Sequence, residues 1–355
     1  MNGLRIGDRE IGRTQRALVI AEIGVNHDGR VERALELVDH AANAGADAMK
    51  LQIFRADALM HPSGAFAAYQ KDRAGASDPI EMLRRYELDD GAIEQIVTTA
   101  RTLGLIPIAT PFSPGDIDTI QRLDLPAIKI ASPDLVNLPL LERARRTGKP
   151  LLVSTGAATM GEVRQTVKWL SEWQTPFALL HSVSSYPAAA EDANLCWIGE
   201  LFSEFDIAIG FSDHTTDVTC GALAVAAGAC IIEKHLTYDC AAQGPDHSAS
   251  ADPHTFAKYV RAIRSAEVLR GRPGKHVLPA EQDVRTVSRQ SLVLRNAMTA
   301  GQMIVESSLT VQRPGTGIPA AMVESVLGSR LRRSLPAGTM LQWEMLTAVA
   351  ECNAA

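Results

Sequence analysis

The chain has 355 residues, 46% hydrophobic and 21% charged, with a formal net charge of −6. That length suits one large α/β core plus a small module, and the acidic balance excludes a general binder of nucleic acid or anionic membrane while leaving room for a local basic pocket. The leading MNGLRIGDRE is polar, no apolar stretch reaches the ~20 residues of a membrane span, and the five cysteines (Cys196, Cys220, Cys230, Cys240 and Cys352) form no C-x-x-C pair, so a cytoplasmic protein with reduced thiols is expected.

Eight apolar runs of strand length then follow: Ala17–Val25, Ala48–Phe54, Ile106–Phe112, Ala127–Ser132, Pro150–Thr155, Phe177–Val183, Ile207–Asp213 and Ile231–Thr237. They are continuous, not alternating, as parallel strands covered on both faces are. Helical patterns lie between most of them. Val31, Ala34, Leu35, Val38, Ala41 and Ala42 form one face, closed by Gly45. Leu138, Leu140, Leu141 and Ala144 precede the fifth run, and Val218, Leu223, Val225 and Ala226 the eighth. The expected fold is α/β, a closed (β/α)8 TIM barrel over residues 1–271. A doubly wound sheet is the runner-up, but no glycine fingerprint follows the first strand.

After Gly271 the pattern changes. GRPGKHVLPAEQD is loop-rich, so 272–284 reads as a linker and 285–355 as a small β-rich module. Within it, AGQMIVESSLT (Ala300–Thr310) resembles AGTMLQWEMLT (Ala337–Thr347), which predicts internal pseudo-symmetry.

The polar residues cluster at strand ends, where barrel enzymes build their sites. Each of the eight ends contributes. They carry Glu22, Asn26 and His27; Lys50 and Gln52; Thr110; Lys129 and Ser132; Ser154 and Thr155; Ser184 and Tyr186; Ser212, Asp213 and His214; Glu233, Lys234 and His235. Residues two apart share a strand face, which groups Glu22 with Gly24 and Asn26, Lys50 with Gln52, Ser212 with His214, and Glu233 with His235. So many polar groups lining one end of an interior call for a bound polar ligand.

Lys50 and Lys129, with the hydroxyls of Thr110, Ser132, Ser154 and Ser212, suit a phosphate. The bland alternative pairs these lysines with Glu22 or Glu233 as internal salt bridges. His214 and His235 end adjacent strands, within reach of one metal ion that water and substrate would complete. Nitrogen and oxygen ligands without thiolate lean toward manganese or magnesium. His40, His61 and His276 read as ordinary histidines. Asp246, in the GPDH loop after the last strand, is a turn residue or a further polar contact. RPGTGIP has no strand–turn–helix context, so it is no nucleotide motif.

AEIGVNHDG, AMKLQIF, IKIAS, STGAAT, EDANL, GFSDHT, IIEKHLT and GPDHSAS resemble, in order, the landmarks of the sialic acid synthase family, and RPGTGI resembles that of its C-terminal SAF (antifreeze-like) domain. The resemblance spans nearly the whole chain. It implies condensation of phosphoenolpyruvate with an acylamino sugar aldehyde to a nonulosonic acid and phosphate. The acceptor would be N-acetylmannosamine, a diacetamido-trideoxyhexose, or a sugar of the spore-coat polysaccharide type. By resemblance, Lys50, Gln52, Thr110, Lys129, Ser132, Ser154 and Ser212 match phosphoenolpyruvate-binding positions. His214 and His235 match metal ligands, with manganese expected and magnesium or cobalt as alternatives. Glu22 matches a glutamate near the reacting carbons, and Tyr186 and Asp246 match pocket positions. Arg313 matches an arginine that a neighbouring subunit supplies, which implies a domain-swapped homodimer.

The sequence departs from the family pattern on the acceptor side. Pro133-Asp134 stands where Gly-Glu is usual, Arg73 where an asparagine is, Ser182 and Ser184 where cysteine and asparagine or threonine are, and Gln290 where a basic residue is common. The donor and metal positions match. Two other classes, a metal-dependent barrel hydrolase and a non-catalytic carbohydrate-binding relative, fit less well. The first would show a fuller metal-ligand set, and the second would not need both histidines, both lysines and Glu22.

Overall fold

Eight parallel strands pair in chain order until the last meets the first. The computed structural model describes residues 4–65 and 78–347, and its contacts divide the chain into two units, Met1–Arg272 and Pro273–Ala355. The first unit begins with an antiparallel hairpin of β1 (Leu4–Ile6) and β2 (Arg9–Ile11). The barrel follows as β3 (Leu18–Glu22), β4 (Ala48–Ile53), β5 (Ile106–Pro111), β6 (Ile128–Ile130), β7 (Leu151–Ser154), β8 (Phe177–Ser182), β9 (Ile209–Asp213) and β10 (Ile231–His235). β10 pairs with β3 and closes the ring. All eight apolar runs of the sequence are thus barrel strands.

Side-chain alternation divides each strand between two cores. Outward residues such as Val19, Met49, Ile128, Leu179 and Ile232 pack under the helices. Inward residues Leu18, Ile20, Ala48, Ile108, Leu152, Leu180 and Ile231 fill the lower interior, where Leu4, Ile6 and Ile11 of the hairpin join them. The polar-looking N-terminus therefore plugs the barrel floor. Its signal was the alternation of Leu4, Ile6 and Ile11 around a turn at Gly7, which takes a positive φ of 57°.

Two helix faces differ from expectation. In Val31–Asn43 the buried side is Ala34, Leu37, Val38 and Ala41, with Leu35 and Ala42 only half-buried. In Cys220–Ala227 it is Cys220, Gly221, Ala224 and Val225, while Leu223 is 56% exposed and Ala226 also faces out. Gly221 decides that rotation, because the Tyr259 ring packs so closely that a Cβ there would meet it. The stretch 272–284 is not all loop: it holds a 3-10 turn, Pro279–Glu281, and the start of a helix, Gln282–Ser288.

In the second unit, β11 (Ser291–Leu294) pairs antiparallel with β12 (Leu309–Gln312). The repeat is structural. Residues 37 positions apart take equivalent places. Met298 and Leu335, themselves such a pair, exchange both backbone hydrogen bonds at 2.9 Å. The Val293–Met340 bridge has its counterpart in Arg330–Met303. Ile304 and Leu341 are both fully buried, and Gly301 and Gly338 take φ of 77° and 80°.

An ionic knot at the barrel floor joins the first and last elements of the barrel unit. One oxygen of Asp47 accepts from the Val19 N–H (2.8 Å) and Arg264 (2.5 Å), while the other meets Arg9 at 2.8 Å. Burial alone would raise this carboxyl, but hydrogen bonds from Arg9 and Val19 and the Arg264 charge hold it below its ordinary 3.8. A depressed folded value stabilises above the unfolded pKa and is lost as pH falls through the folded one. Asp47→Asn should therefore cost about 2–4 kcal/mol at pH 7, read as a lower urea midpoint. The gap to wild type should shrink as pH falls below 3.8; a gap that stays constant there would refute the assignment.

Candidate functional site

Above the apolar interior the same inward alternation turns polar. Ile20 is followed by Glu22, Ala48 by Lys50 and then Gln52, Ile108 by Thr110, and Ala127 by Lys129. On the far side Leu152 gives way to Ser154, Leu180 to Ser182, and Ile231 to Glu233 and His235. Ser212 and His214 follow Gly210, whose missing side chain matters: a Cβ would lie 2.8 Å from Ile231 Cβ and 3.0 Å from Leu180 Cγ. This layer floors a cavity of about 500 Å³ at the C-terminal mouth of the barrel.

Two ammonium groups and two carboxylates are buried there together. Lys50 pairs with Glu22, donates to Thr110 Oγ1 at 3.0 Å, and lies 3.7 Å from Glu233. Lys129 donates to Ser154 Oγ at 2.5 Å and to the Ile130 carbonyl at 3.0 Å. Ser212 donates to Glu233 at 2.9 Å. The two carboxyls separate electrostatically. Burial pushes Glu22 up, with Lys50 opposing and Glu233 adding. Burial also pushes on Glu233, but the charges of Lys129 and Lys50 outweigh it and hold that group down at about 2. Burial pulls Lys129 down to about 8, whereas Glu22 and Glu233 overcome the same effect at Lys50 and raise it.

The imidazoles of His214 and His235 stand 5.5 Å apart, with the Tyr186 ring 4.2 Å and 5.8 Å from them. Burial holds both neutral: His214 falls to about 4 and His235 well below its ordinary value, the latter helped by the neighbouring His214 and Lys50. His214 Nδ1 lies 2.6 Å from the Val183 carbonyl, which assigns it the proton and leaves Nε2 as an acceptor. His235 Nδ1 is buried without a hydrogen-bond partner, 3.5 Å from an Asp246 oxygen. Burial and the Glu22 charge push Asp246 up to about 7. Two neutral imidazoles, one with an orphaned nitrogen, fit a divalent cation that takes its other ligands from water or substrate. Among the described residues, no group of three or more His, Cys, Asp or Glu side chains is arranged to hold a metal.

Of the residues singled out in the sequence, Lys50, Gln52, Thr110, Lys129, Ser132, Ser154, Tyr186, Ser212, His214, His235 and Asp246 all line this cavity. Glu22 lies beneath it, fully buried, with Gly24 N–H on its other oxygen at 2.6 Å. Asp134 does not reach it: Pro133 lines the wall and opens the 3-10 turn Ser132–Val136, and the Asp134 carboxylate accepts from Asn137 at 2.8 Å. Arg73 lies outside the described residues. Arg313 is an exposed residue of the second unit, immediately after β12. Asn26 turns out to be a tie between loops, donating to the Leu236 carbonyl and to Ser250.

Alternation also removes candidates. Asp213 and Lys234 point away from the cavity and pair at 3.2 Å, with Tyr259 donating to Asp213 at 2.7 Å. Glu233, read in the sequence only as an ion-pair partner, proves central. Its signal was the shared face with His235. The role of Asp28 was not foreseen: it accepts from Tyr238 at 2.8 Å and lies 3.1 Å from His247 Nε2, fixing the loop that carries Asp246.

Residues 37–275 match the NeuB family and residues 289–347 the SAF domain. The N,N'-diacetyllegionaminic acid synthase of Legionella pneumophila is 37% identical, over 96% of this chain and 98% of that one. The pseudaminic acid synthase of Campylobacter jejuni is 31% identical, over 92% and 96%. The solved N-acetylneuraminic acid synthetase of Leptospira borgpetersenii, in complex with citrate, superposes with a TM-score of 0.72 at 31% identity, over 80% of this chain and 95% of that one. With the NeuB match covering most of the barrel and the SAF match following it, the chain belongs to the NeuB family of acid synthases and carries a C-terminal SAF domain.

Proposed function

We propose that the protein condenses phosphoenolpyruvate with an acylamino sugar aldehyde, giving a nonulosonic acid and phosphate. The observation that carries this is the buried layer of Lys50, Lys129 and their hydroxyl partners beside a neutral imidazole pair. Relatives that make legionaminic and pseudaminic acids favour a diacetamido-trideoxyhexose as the first acceptor to test, with N-acetylmannosamine second.

Carbon 3 of phosphoenolpyruvate bonds to the aldehyde carbon, water adds its oxygen at carbon 2, and the carbon 2–oxygen bond to phosphate breaks. Lys50, Lys129 and the hydroxyls of Thr110, Ser132, Ser154 and Ser212 hold the phosphate and carboxylate and stabilise the charge that develops on the leaving phosphate. Gln52 is a neutral contact on the same side. Glu22, supported by its burial against Lys50, holds or moves the proton at its carboxyl. Glu233 keeps Ser212 and the two ammonium groups in register. His214 and His235, with Asp246 beside the latter, would hold manganese, or magnesium or cobalt in its place, which when bound supplies Lewis-acid polarisation of the aldehyde oxygen. Tyr186 orients the acceptor. In the same reading the protein is a domain-swapped homodimer, with Arg313 of one chain covering the acceptor bound to the other.

Phosphate release from phosphoenolpyruvate should require both manganese and an acylamino sugar, and His214→Ala or His235→Ala should lower it roughly hundredfold or more. Release that ignores manganese and both substitutions would sink the metal role, and no release with any acylamino sugar would sink the synthase reading. Because the Lys129 ammonium loses its proton near 8, phosphoenolpyruvate should bind more weakly as pH rises through that value. Lys129→Gln should flatten this dependence and weaken binding at pH 7 by roughly ten- to hundredfold, as for a lost charged hydrogen bond. An unchanged profile in that variant, read by calorimetry, would assign the titration elsewhere. Light scattering should give a dimer mass; a monomer would remove Arg313 from the site.

A further inference from the structure

A second cavity, of about 600 Å³, lies against the outer side of the first. Its walls come from the loop and helix start after β7 and from the helix Cys196–Phe205. Ser184 lines both cavities. The divide between them is thin and built of small polar groups. Ser132 and Ser182 hydroxyls lie 3.2 Å apart, and the Gly156 N–H donates to Ser132 at 3.1 Å. A Cβ at Gly156 would come within 2.9 Å of both of those hydroxyls and closer still to Ser184, so the divide has room only for glycine.

Beyond the divide the chemistry changes. Ala158, Met160, Val163 and Leu201 make an apolar end, Asp192, Asn194 and Glu200 line a polar side, and Trp197, 46% exposed, closes one side with its ring centroid 5.2 Å from that of His181. A hydroxyl at the shared rim that can donate to or accept from an amide, followed by a chamber with an apolar end, is what an acylamino group with a long acyl chain would meet. We infer that the second cavity is an acyl pocket. An acceptor bound in the first cavity passes its acylamino group over the exposed rim at Ser184, not through the closed divide, and lodges an acyl chain longer than acetyl against Ala158, Met160 and Trp197. This rests on the synthase reading and names the acceptor class within it, sugars whose acylamino group is larger and more apolar than acetamido.

The test compares acetyl, butanoyl and hexanoyl forms of acylamino mannose and of the diacylamido-trideoxyhexose, scored by phosphate release with manganese. For wild type, kcat/KM should rise about tenfold or more from acetyl to hexanoyl, since each buried methylene adds to binding. Ala158→Phe and, independently, Met160→Trp fill the chamber and should return the hexanoyl-to-acetyl ratio to about one or below. The ratio is internal to each variant, so partial loss of folded protein does not mimic the effect. Release with acetyl acceptors but no gain with chain length overturns the acyl pocket alone. A gain that survives both filling substitutions overturns it as well, by locating the chain elsewhere. No release with any acceptor overturns the synthase reading and the pocket with it.

Discussion

Four charged side chains with almost no access to water, Glu22, Lys50, Lys129 and Glu233, set the terms for everything at the mouth of this barrel. Taking an ion out of water costs several kcal/mol even after relaxation, and a pair recovers that only with close geometry and further hydrogen bonds. The barrel meets the condition with a balanced set, two ammonium groups against two carboxylates, each lysine also donating to a neighbouring hydroxyl. Deleting any one member leaves an uncompensated buried charge. Because the groups sit on four different strands, their balance also fixes how those strand ends face one another, and a dianionic ligand entering this layer meets donors already oriented for it.

Alternation along a strand allows one sequence segment to serve both site and scaffold. In β9 and β10, Ser212, Glu233 and His235 face the cavity, while Asp213 and Lys234 form a salt bridge on the opposite side, closed by Tyr259. The outer bridge stiffens the two strands that carry the imidazoles. Five polar residues among the ten of these two strands, all buried, would be untenable in strands with only one partnered surface. Here each polar group finds its partner on its own side of the sheet.

The second unit obeys a different logic. It is too small for a deep core, and it gains coherence by folding two copies of one short pattern against each other. Each copy supplies a glycine of positive φ, a fully buried aliphatic residue and a short 3-10 turn, and the copies pair backbone to backbone at Met298 and Leu335. Self-pairing satisfies the polar backbone without long strands, so few sequence positions need to be specified.

How much of this was written in the chain follows from the range of the forces involved. Strand count, the polar layer at strand ends and the repeat are local features, set by continuous apolarity and by spacing, so they were legible. So were the family landmarks, because they sit on those strand ends. Three things were not. The hairpin plug depends on Leu4, Ile6 and Ile11 meeting residues far along the chain, and no local pattern announces the partner. The rotation of the helix Cys220–Ala227 depends on the closeness of Tyr259 to Gly221. Turning Asp134 out of the cavity depends on Asn137 offering it a hydrogen bond in a tight turn. The sequence by itself determined which residues could line a site, since side-chain period and strand length are intrinsic to the backbone. Only the tertiary structure decided which of them share a field, because electrostatic coupling depends on distance across the barrel and on burial, and neither exists until the ring closes.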